Sequence, residues 1–541
     1  KLYITNGATF TYSWTSSQFT FRNIIIDNGA TLDMVGRFTV LAAGEFEILD
    51  GGTFKFSYPT SSGETSFLTS TLWNGTERFH PNSNFIVANH ETGSGKYFLP
   101  PAANLTSNIY NGVTAYFGNL TLQSAGEVRL TTTNLSGTST YLTHQDFSII
   151  SSVAQPLLFG SGTWVIGRDL KLSSPSSNAL TLTTGANTIT LNVKRHLIKD
   201  GAHAFRFSNN AGANVTISVD SSVQVNSGTM DLNFAASGVG TLNLKGNLSV
   251  ASAAFLLATA QTTAGTSYPL SNAEINFNGT YNSSNAATIQ TIDNAATGDA
   301  TKNSRINFNV NTGAYVQLKT QDLQLGTRSM FIVKANGSNP ASGGILDFGF
   351  NAAGTTALNV ITSGAATTTF FNLGGGNAGG TLKITSPQGI SNLSTGSGAT
   401  GNIQVTNAPT YNDVSTFWYI GRAATNYTGT GLPTGSSAKI VICDLLDNDK
   451  QLILSGSDVA GNGVYGVSNT TTLSGTGGKL DIRKGQVLET EKAYFGNTSG
   501  TLYMSPGTLY YIPKGSTDTN AAKTDFIPIM IGGTSNYSFN G

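Results

Sequence analysis

Asn6-Gly7-Ala8-Thr9-Phe10 returns as Asn28-Gly29-Ala30-Thr31-Leu32, and again as Asp50-Gly51-Gly52-Thr53-Phe54. Both intervals, 6 to 28 and 28 to 50, are 22 residues. Upstream of each turn lies an apolar run: Leu2-Tyr3-Ile4, Ile24-Ile25-Ile26 and Phe46-Glu47-Ile48-Leu49. A turn that recurs at a fixed interval between apolar runs marks a solenoid with one coil per repeat. Asn or Asp tolerates the left-handed backbone of a tight corner, Gly supplies positive φ without a Cβ penalty, and Thr re-enters a strand. Asn6, Asn28 and Asp50 are therefore expected at equivalent corners of successive coils, about one strand spacing apart along the axis.

A looser repeat runs through the middle of the chain. Gly118-Asn119-Leu120-Thr121-Leu122, Arg168-Asp169-Leu170-Lys171-Leu172, Gly246-Asn247-Leu248-Ser249-Val250, Gly380-Thr381-Leu382-Lys383-Ile384 and Gly401-Asn402-Ile403-Gln404-Val405 share one form. Each is a turn pair followed by apolar, polar, apolar. Further alternating runs, such as Leu180-Thr181-Leu182 and Val215-Thr216-Ile217, recur roughly every 8–12 residues between Gly, Ser and Asn. That spacing alone would also suit a β-sandwich or barrel. The 22-residue turn repeat selects an all-β, elongated parallel β-helix with coils of about 22 residues. Stacked at the strand spacing, such coils would make a rod of more than ~80 Å.

Composition agrees with this reading. Of 541 residues 63 are Gly, 11% are charged and 10% aromatic. Ser, Thr and Asn make up roughly a third, and the strong helix formers Glu, Lys, Arg and Met are scarce. Lys+Arg and Asp+Glu balance at 29 each. A nucleic-acid-binding protein needs a basic surplus to release counterions, so no nucleic-acid partner is expected. The longest uncharged apolar run, Val250 to Ala260, is about half the ~20 residues that span a bilayer, and no transmembrane segment is expected. One cysteine, Cys443, permits no internal disulfide and reads as a buried strand thiol.

Four regions are expected: N-terminal coils over 1–56, an insertion over 57–117 containing Trp73, Pro81, Pro100 and Pro101, a main solenoid over 118–435, and a more charged β region over 436–541. The last boundary rests on charge. Residues 351–433 contain three charged side chains (Lys383, Asp413, Arg422), against seventeen from Lys439 onward. The final region is expected either to continue the coils or to form a separate β domain.

The densest acidic cluster is Asp444, Asp447 and Asp449, with Asn448 and Lys450. Hard cations need several converging oxygens, so this is the candidate Ca²⁺ site, although it lacks the spacing and central Gly of an EF-hand loop. The plain alternative is a solvated turn after the Cys443 strand. Glu45 and Glu47 share a strand face, a spacing that can pair carboxylates for acid/base work. His196, Asp200 and His203 have loop spacing compatible with metal ligation, set against exposed turn residues. Gly374-Gly375-Gly376-Asn377 precedes no helix and is not read as a phosphate loop. Thr181, Thr183 and Thr184, and Thr367 to Thr369, read as exposed Thr rows or simply as good strand residues. No other cofactor and no catalytic residue is expected.

The runs NGATL (28–32), GNLTL (118–122), GSGTWVIGRDLKL (160–172), GTLNLKGNLSV (240–250) and GGTLKI (379–384) resemble those of large, low-charge repeat proteins on the surface of Bacteroidota. Those are exported by the type IX system, and several are adhesins or form filaments. Filamentous-haemagglutinin-like and autotransporter passengers look similar. The resemblance covers most of residues 1–435. It implies a secreted or cell-surface protein that meets the outer-membrane secretion machinery during export. The compact sorting domain usual at the end of that family is not recognised before Gly541, and no signal peptide opens the chain at Lys1, so a mature or truncated form is expected. The function expected is that of a non-catalytic structural or adhesive surface rod. Its partners would be surface glycans or a neighbouring cell, and subunits or domains stacked on the open coil ends. The alternatives are a polysaccharide-degrading β-helix enzyme and a phage tail fibre or spike.

Overall fold

Ile24, Ile25 and Ile26 pair in parallel with Phe46, Glu47 and Ile48 on one side, and with Leu2, Tyr3 and Ile4 on the other. Thr9–Tyr12, Thr31–Met34 and Thr53–Phe56 form a second parallel ladder in the same 22-residue register. The protein is an all-β parallel β-helix, and Asn6, Asn28 and Asp50 occupy equivalent corners between the two ladders. Local backbone explains the residues chosen there. Gly7, Gly29 and Gly51 have φ of 70°, 69° and 77°, and Asn6 has φ of 57°, a region that costs other L-residues about 1 kcal/mol or more. A Cβ on Gly51 would also collide with the Asn28 side chain.

The computed structural model describes residues 1–13, 19–35, 38–57, 76–88, 96–99, 108–110, 113–123, 127–130, 140–150, 158–159, 161–174, 179–235, 238–259, 272–335, 343–364, 366, 368–374, 379–391, 400–411, 415–429, 432, 440–447 and 449–453, and short strands between 456 and 539. These fall into two compact units that divide between about residues 245 and 275.

In the first unit one inward-facing position can be followed through nine coils: Phe10, Leu32, Phe54, Phe85, Leu120, Phe147, Leu170, Leu197 and Val223. The 22-residue coil holds only for the first two steps. Later steps take between 23 residues (Phe147 to Leu170) and 35 (Phe85 to Leu120). The core demands only that each strand deliver its inward residues in register, and the corners tolerate whatever loop length lies between. Thr76–Phe79 and Asn84–Val87 pair in parallel with the preceding coil. Part of the stretch read as an insertion over 57–117 is thus coil; Pro81 sits in the turn between these strands, where its missing N–H breaks no ladder. Trp73, Pro100 and Pro101 lie outside the described residues. Phe46, Phe54, Phe79, Phe85 and Phe117 fill these coils, with ring centroids 5.0–5.7 Å apart. Each buried ring contributes about 2–3 kcal/mol.

In the second unit Tyr315–Leu318, Ile345–Asp347, Thr381–Ile384, Thr416–Tyr419, Ile440–Asp444, Lys479–Lys484, Thr501–Met504 and Asn536–Phe539 run side by side in parallel. Coils therefore continue to the end of the described chain. The charge shift near 435 crosses a direct strand pair, Thr416–Tyr419 with Ile440–Asp444. A second face carries Asn307–Val310, Ser329–Lys334 and Thr369–Gly374, whose inward Phe308, Phe331 and Phe371 stack with centroids 6.3 and 5.9 Å apart. The repeats at 118–122 and 168–172 lie in the first unit's sheet that follows the Asn-Gly corner, and the one at 380–384 lies in the parallel sheet of the second unit. Gly401-Asn402-Ile403-Gln404 instead enters a separate three-stranded face with Leu323–Leu325 and Val360–Thr362. Among the described residues no helix is long and apolar enough to cross a membrane.

Candidate functional site

The residue preceding each inward apolar position forms a polar column at one corner of the first unit: Thr53, Asn84, Asn119, Asp146, Asp169, His196 and Ser222. Side chains of this column tie one coil to another, beginning with Asn84 Nδ2, which donates to Thr53 Oγ1 at 3.4 Å. Asn119 Oδ1 accepts the Asp146 N–H (3.2 Å), Asp146 Oδ1 accepts the Asp169 N–H (3.3 Å), and Asp169 Oδ1 accepts the His196 N–H (3.2 Å). His196 Nδ1 then meets Ser222 Oγ at 2.7 Å. A side-chain oxygen here satisfies a backbone donor that a tight corner would otherwise leave unpaired.

Where the column becomes acidic, cations accompany it. Arg168 makes a bidentate contact to Asp146, Lys171 Nζ lies 2.5 Å from Asp146 Oδ2, and Arg195 Nε donates to Asp169 Oδ1 at 2.7 Å. Burial alone would raise the Asp146 carboxyl. Hydrogen bonds from Arg168 and Lys171 outweigh it and hold the group down at about 2. Asp169 is lowered likewise, burial being overcome by Arg195.

The second unit carries a corresponding network on one outer face, where Gln317, Asp347, Lys383 and Trp418 are neighbours in register. Asp347 is buried. Its Oδ2 accepts from Tyr315 Oη (2.6 Å) and Gln317 Nε2 (3.1 Å), and its Oδ1 from the Gly349 N–H (2.8 Å). Lys383 Nζ donates to Tyr315 Oη at 2.9 Å and lies 4.5 Å from the centre of the Trp418 ring. Arg483 approaches the same ring at 4.7 Å, and Trp418 Nε1 donates to Asp444 Oδ2 at 3.1 Å. Burial, with the Asp347 charge second, pushes the Tyr315 hydroxyl far above its ordinary value. It remains a protonated donor.

The three aspartates of the expected Ca²⁺ site have three different partners. Asp444 holds Trp418, Asp447 lies 3.7 Å from Lys484, and Asp449 lies 3.1 Å from Lys450; Asn448 lies outside the described residues. Among the described residues no three His, Cys, Asp or Glu side chains gather in a way that could hold a metal ion. Glu45 and Glu47 do share the outer face of one strand. Glu47 there meets His80 Nε2 at 3.0 Å and Arg78 at 3.8 Å. His196 and His203 part company: His196 joins the corner column, whereas His203 is fully buried with Nδ1 3.0 Å from the Ser174 carbonyl. Cys443 is buried and its thiol pushed up to about 12 by burial and by Asp444. Of the glycine run, Gly375, Gly376 and Asn377 lie outside the described residues.

The Thr rows are not exposed faces: Thr181, Thr183 and Thr369 are buried, Thr184 is exposed, Thr368 is half-buried, and Thr367 lies outside the described residues. A different column faces outward: Thr163, Thr190, Thr216 and Thr241, directly in register over four coils, with Asn192, Ser218 and Asn243 beside it. No sequence window contains it, because it exists only across coils. Compared with protein-family models, curated proteins and solved structures, the chain finds no match.

Proposed function

We propose that this chain is a non-catalytic structural and adhesive β-helix of a bacterial cell surface or extracellular matrix. The observation that carries the reading is the disposition of charge. Of the five buried carboxylates among the described residues, Asp146, Asp169, Asp231 and Asp347 are each engaged by neighbouring coils through cations or hydrogen-bond donors, and Glu77, pushed up to about 8 by burial, faces the core in register with Phe46. Acid/base cleavage of a glycan asks for a protonated acid and a free carboxylate facing each other across a groove. The outward Thr163–Thr241 column and its Asn/Ser neighbour instead offer uncharged hydrogen-bonding groups at regular intervals. Such a face suits many weak contacts to a polymer, which add up through multivalency. Placement at the surface rests on the single cysteine and the resemblance of the repeats.

The test is to incubate the purified chain with a panel of neutral and acidic polysaccharides. Retention on polysaccharide-coated beads without release of new reducing ends or unsaturated products is the expected result. Depolymerisation that is lost in Asp347→Asn or Asp146→Asn would replace this reading with the enzymatic one.

A further inference from the structure

An inward column of the first unit reads Tyr12, Met34, Phe56, Val87, Leu122, Ile149, Leu172, Lys199, Val225. Lysine in this apolar series breaks the packing rule that every neighbouring coil obeys, and such departures concentrate where a structure does something besides fold. Lys199 has no solvent exposure. Its ammonium donates to the carbonyls of Gly201 (2.9 Å), Ser227 (2.9 Å) and Asp200 (3.3 Å). Three N–H donors thus meet three acceptors from two successive coils. Gly228 makes room, since a Cβ there would lie 2.8 Å from Lys199 Nζ and 2.6 Å from the Gly201 and His203 carbonyls.

His203 lies at the same corner, also without solvent exposure. Its Nδ1 faces the Ser174 carbonyl of the preceding coil at 3.0 Å, which assigns the proton of the neutral ring to Nδ1. Nε2 is buried and has no hydrogen-bond partner among the described residues. The charged groups that act on the ring are Lys199 and Asp200. Asp200 is turned to solvent, where its Oδ1 accepts the Gly201 N–H at 2.8 Å and the Ser227 hydroxyl at 2.9 Å. The coil before supplies Ser174 and the coil after supplies Ser227 and Gly228, none of them charged. Among the described residues no anion stands inside the corner to receive a second cation.

We propose that this corner is an acid-triggered release point of the solenoid. Protonation of His203 at Nε2 would place an N–H without an acceptor, and a second positive charge, beside the buried Lys199 ammonium. The turn over 200–203 then withdraws from Ser174 and Ser227, and the edges of three successive coils open at one place. Burial, and next the Lys199 charge, hold His203 down at about 4. Lys199, itself lowered by burial to about 8, stays charged where His203 titrates. Because the folded value lies below the ordinary 6.5, the corner is fully closed above that pH and loosens as pH falls through about 4. Asp146, held down at about 2, keeps its charge over this range, so the Asp146–Arg168 pair of the two preceding coils does not open with it.

Amide hydrogen exchange on the whole chain, corrected for the pH dependence of intrinsic exchange, tests this. Between pH 7 and pH 4, protection at 199–204 and 226–229 should fall at least ten-fold more than in the strands Thr188–Val193 and Asn214–Val219 of the same unit. His203→Asn keeps a donor for the Ser174 carbonyl but takes up no proton, and should abolish the difference. Lys199→Met, which removes the neighbouring cation, should reduce it. Equal loss of protection in wild type and His203→Asn overturns the proposal. Should His203→Asn fail to fold, the wild type alone decides: a corner that opens no more than the control strands at pH 4 overturns it.

Discussion

Arg168 grips Asp146 of the preceding coil through two hydrogen bonds, Nε to Oδ1 at 2.5 Å and Nη2 to Oδ2 at 2.7 Å. The Arg side chain is 41% exposed and the Asp side chain only 10%. The pair therefore anchors a buried anion from a solvated cation, while the same carboxylate accepts a backbone N–H of the next coil. Charge in this protein acts along the stack, joining coils whose register the core already sets.

Removing the anion leaves Arg168 and Lys171 facing each other and the Asp169 N–H without its acceptor. Asp146→Ala should cost about 2–3 kcal/mol, measured by urea unfolding. The folded carboxyl at about 2 lies below its ordinary 3.8. Its contribution is complete above pH 3.8 and disappears as pH falls through 2. Thermal melts of the wild type should thus steepen in their pH dependence between pH 4 and 2, and Asp146→Asn should flatten that step.

Two glycines of the second unit share a left-handed backbone but not their surroundings. Gly349 has φ of 65° and a Cβ on it would lie 2.5 Å from the Leu318 carbonyl; Gly313 has φ of 79° and open space around it. Gly313→Ala should cost about 1 kcal/mol, the conformational term alone. Gly349→Ala adds a backbone collision and should cost about 3 kcal/mol. Equal losses in chemical denaturation would refute the close approach of successive coils at Gly349.

Cys443 is buried, with its Sγ 3.4 Å from the Lys484 carbonyl. A thiol pushed up to about 12 carries almost no thiolate at pH 8, and the ring of neighbours denies access. An aromatic disulfide reagent should label it about 10³-fold more slowly than a free thiol, and at the ordinary rate once the chain is unfolded. Rapid labelling of the folded chain would show that the Ile440–Asp444 strand is not enclosed.

Asp444, Asp447 and Asp449 differ in what they hold. Asp444→Ala removes the acceptor of the Trp418 indole and should cost about 1 kcal/mol. Asp447 and Asp449, 57% and 73% exposed in solvent-screened pairs, should each change stability by less than about 0.5 kcal/mol. With three separate partners, a calcium chelator should leave the melting temperature unchanged. A drop on chelation, abolished in the triple alanine variant, would restore the cation site.

The Asn-Gly-Ala-Thr repeat determined the β-helix, its first coil length and the corners at Asn6, Asn28 and Asp50. These demands are local: a left-handed corner needs Gly or Asn within two residues, and period-two alternation needs only a few neighbours. The sequence also placed Glu45 with Glu47 and buried Cys443 in a strand, again from adjacent residues. Tertiary structure alone decided the rest. Coil length drifts from 22 to 35 residues because loops leave at the corners without disturbing the ladders, so 57–117 read as insertion although it contains a coil, and the charge shift at 435 left open whether coils continue, which the strand pair across it decides. The same drift hid the Thr163–Thr190–Thr216–Thr241 column, whose members lie 27, 26 and 25 residues apart, whereas the Asp146–Arg168 pair, 22 residues apart, depends on which corner side chains face each other. It also separated His196 from His203. Seven residues apart, they sit on opposite sides of one strand and its turn, so one joins the outer corner column and the other enters the core beside Lys199. Register between coils is set by which residues the core accepts, and that is a property of the stack rather than of any segment within it.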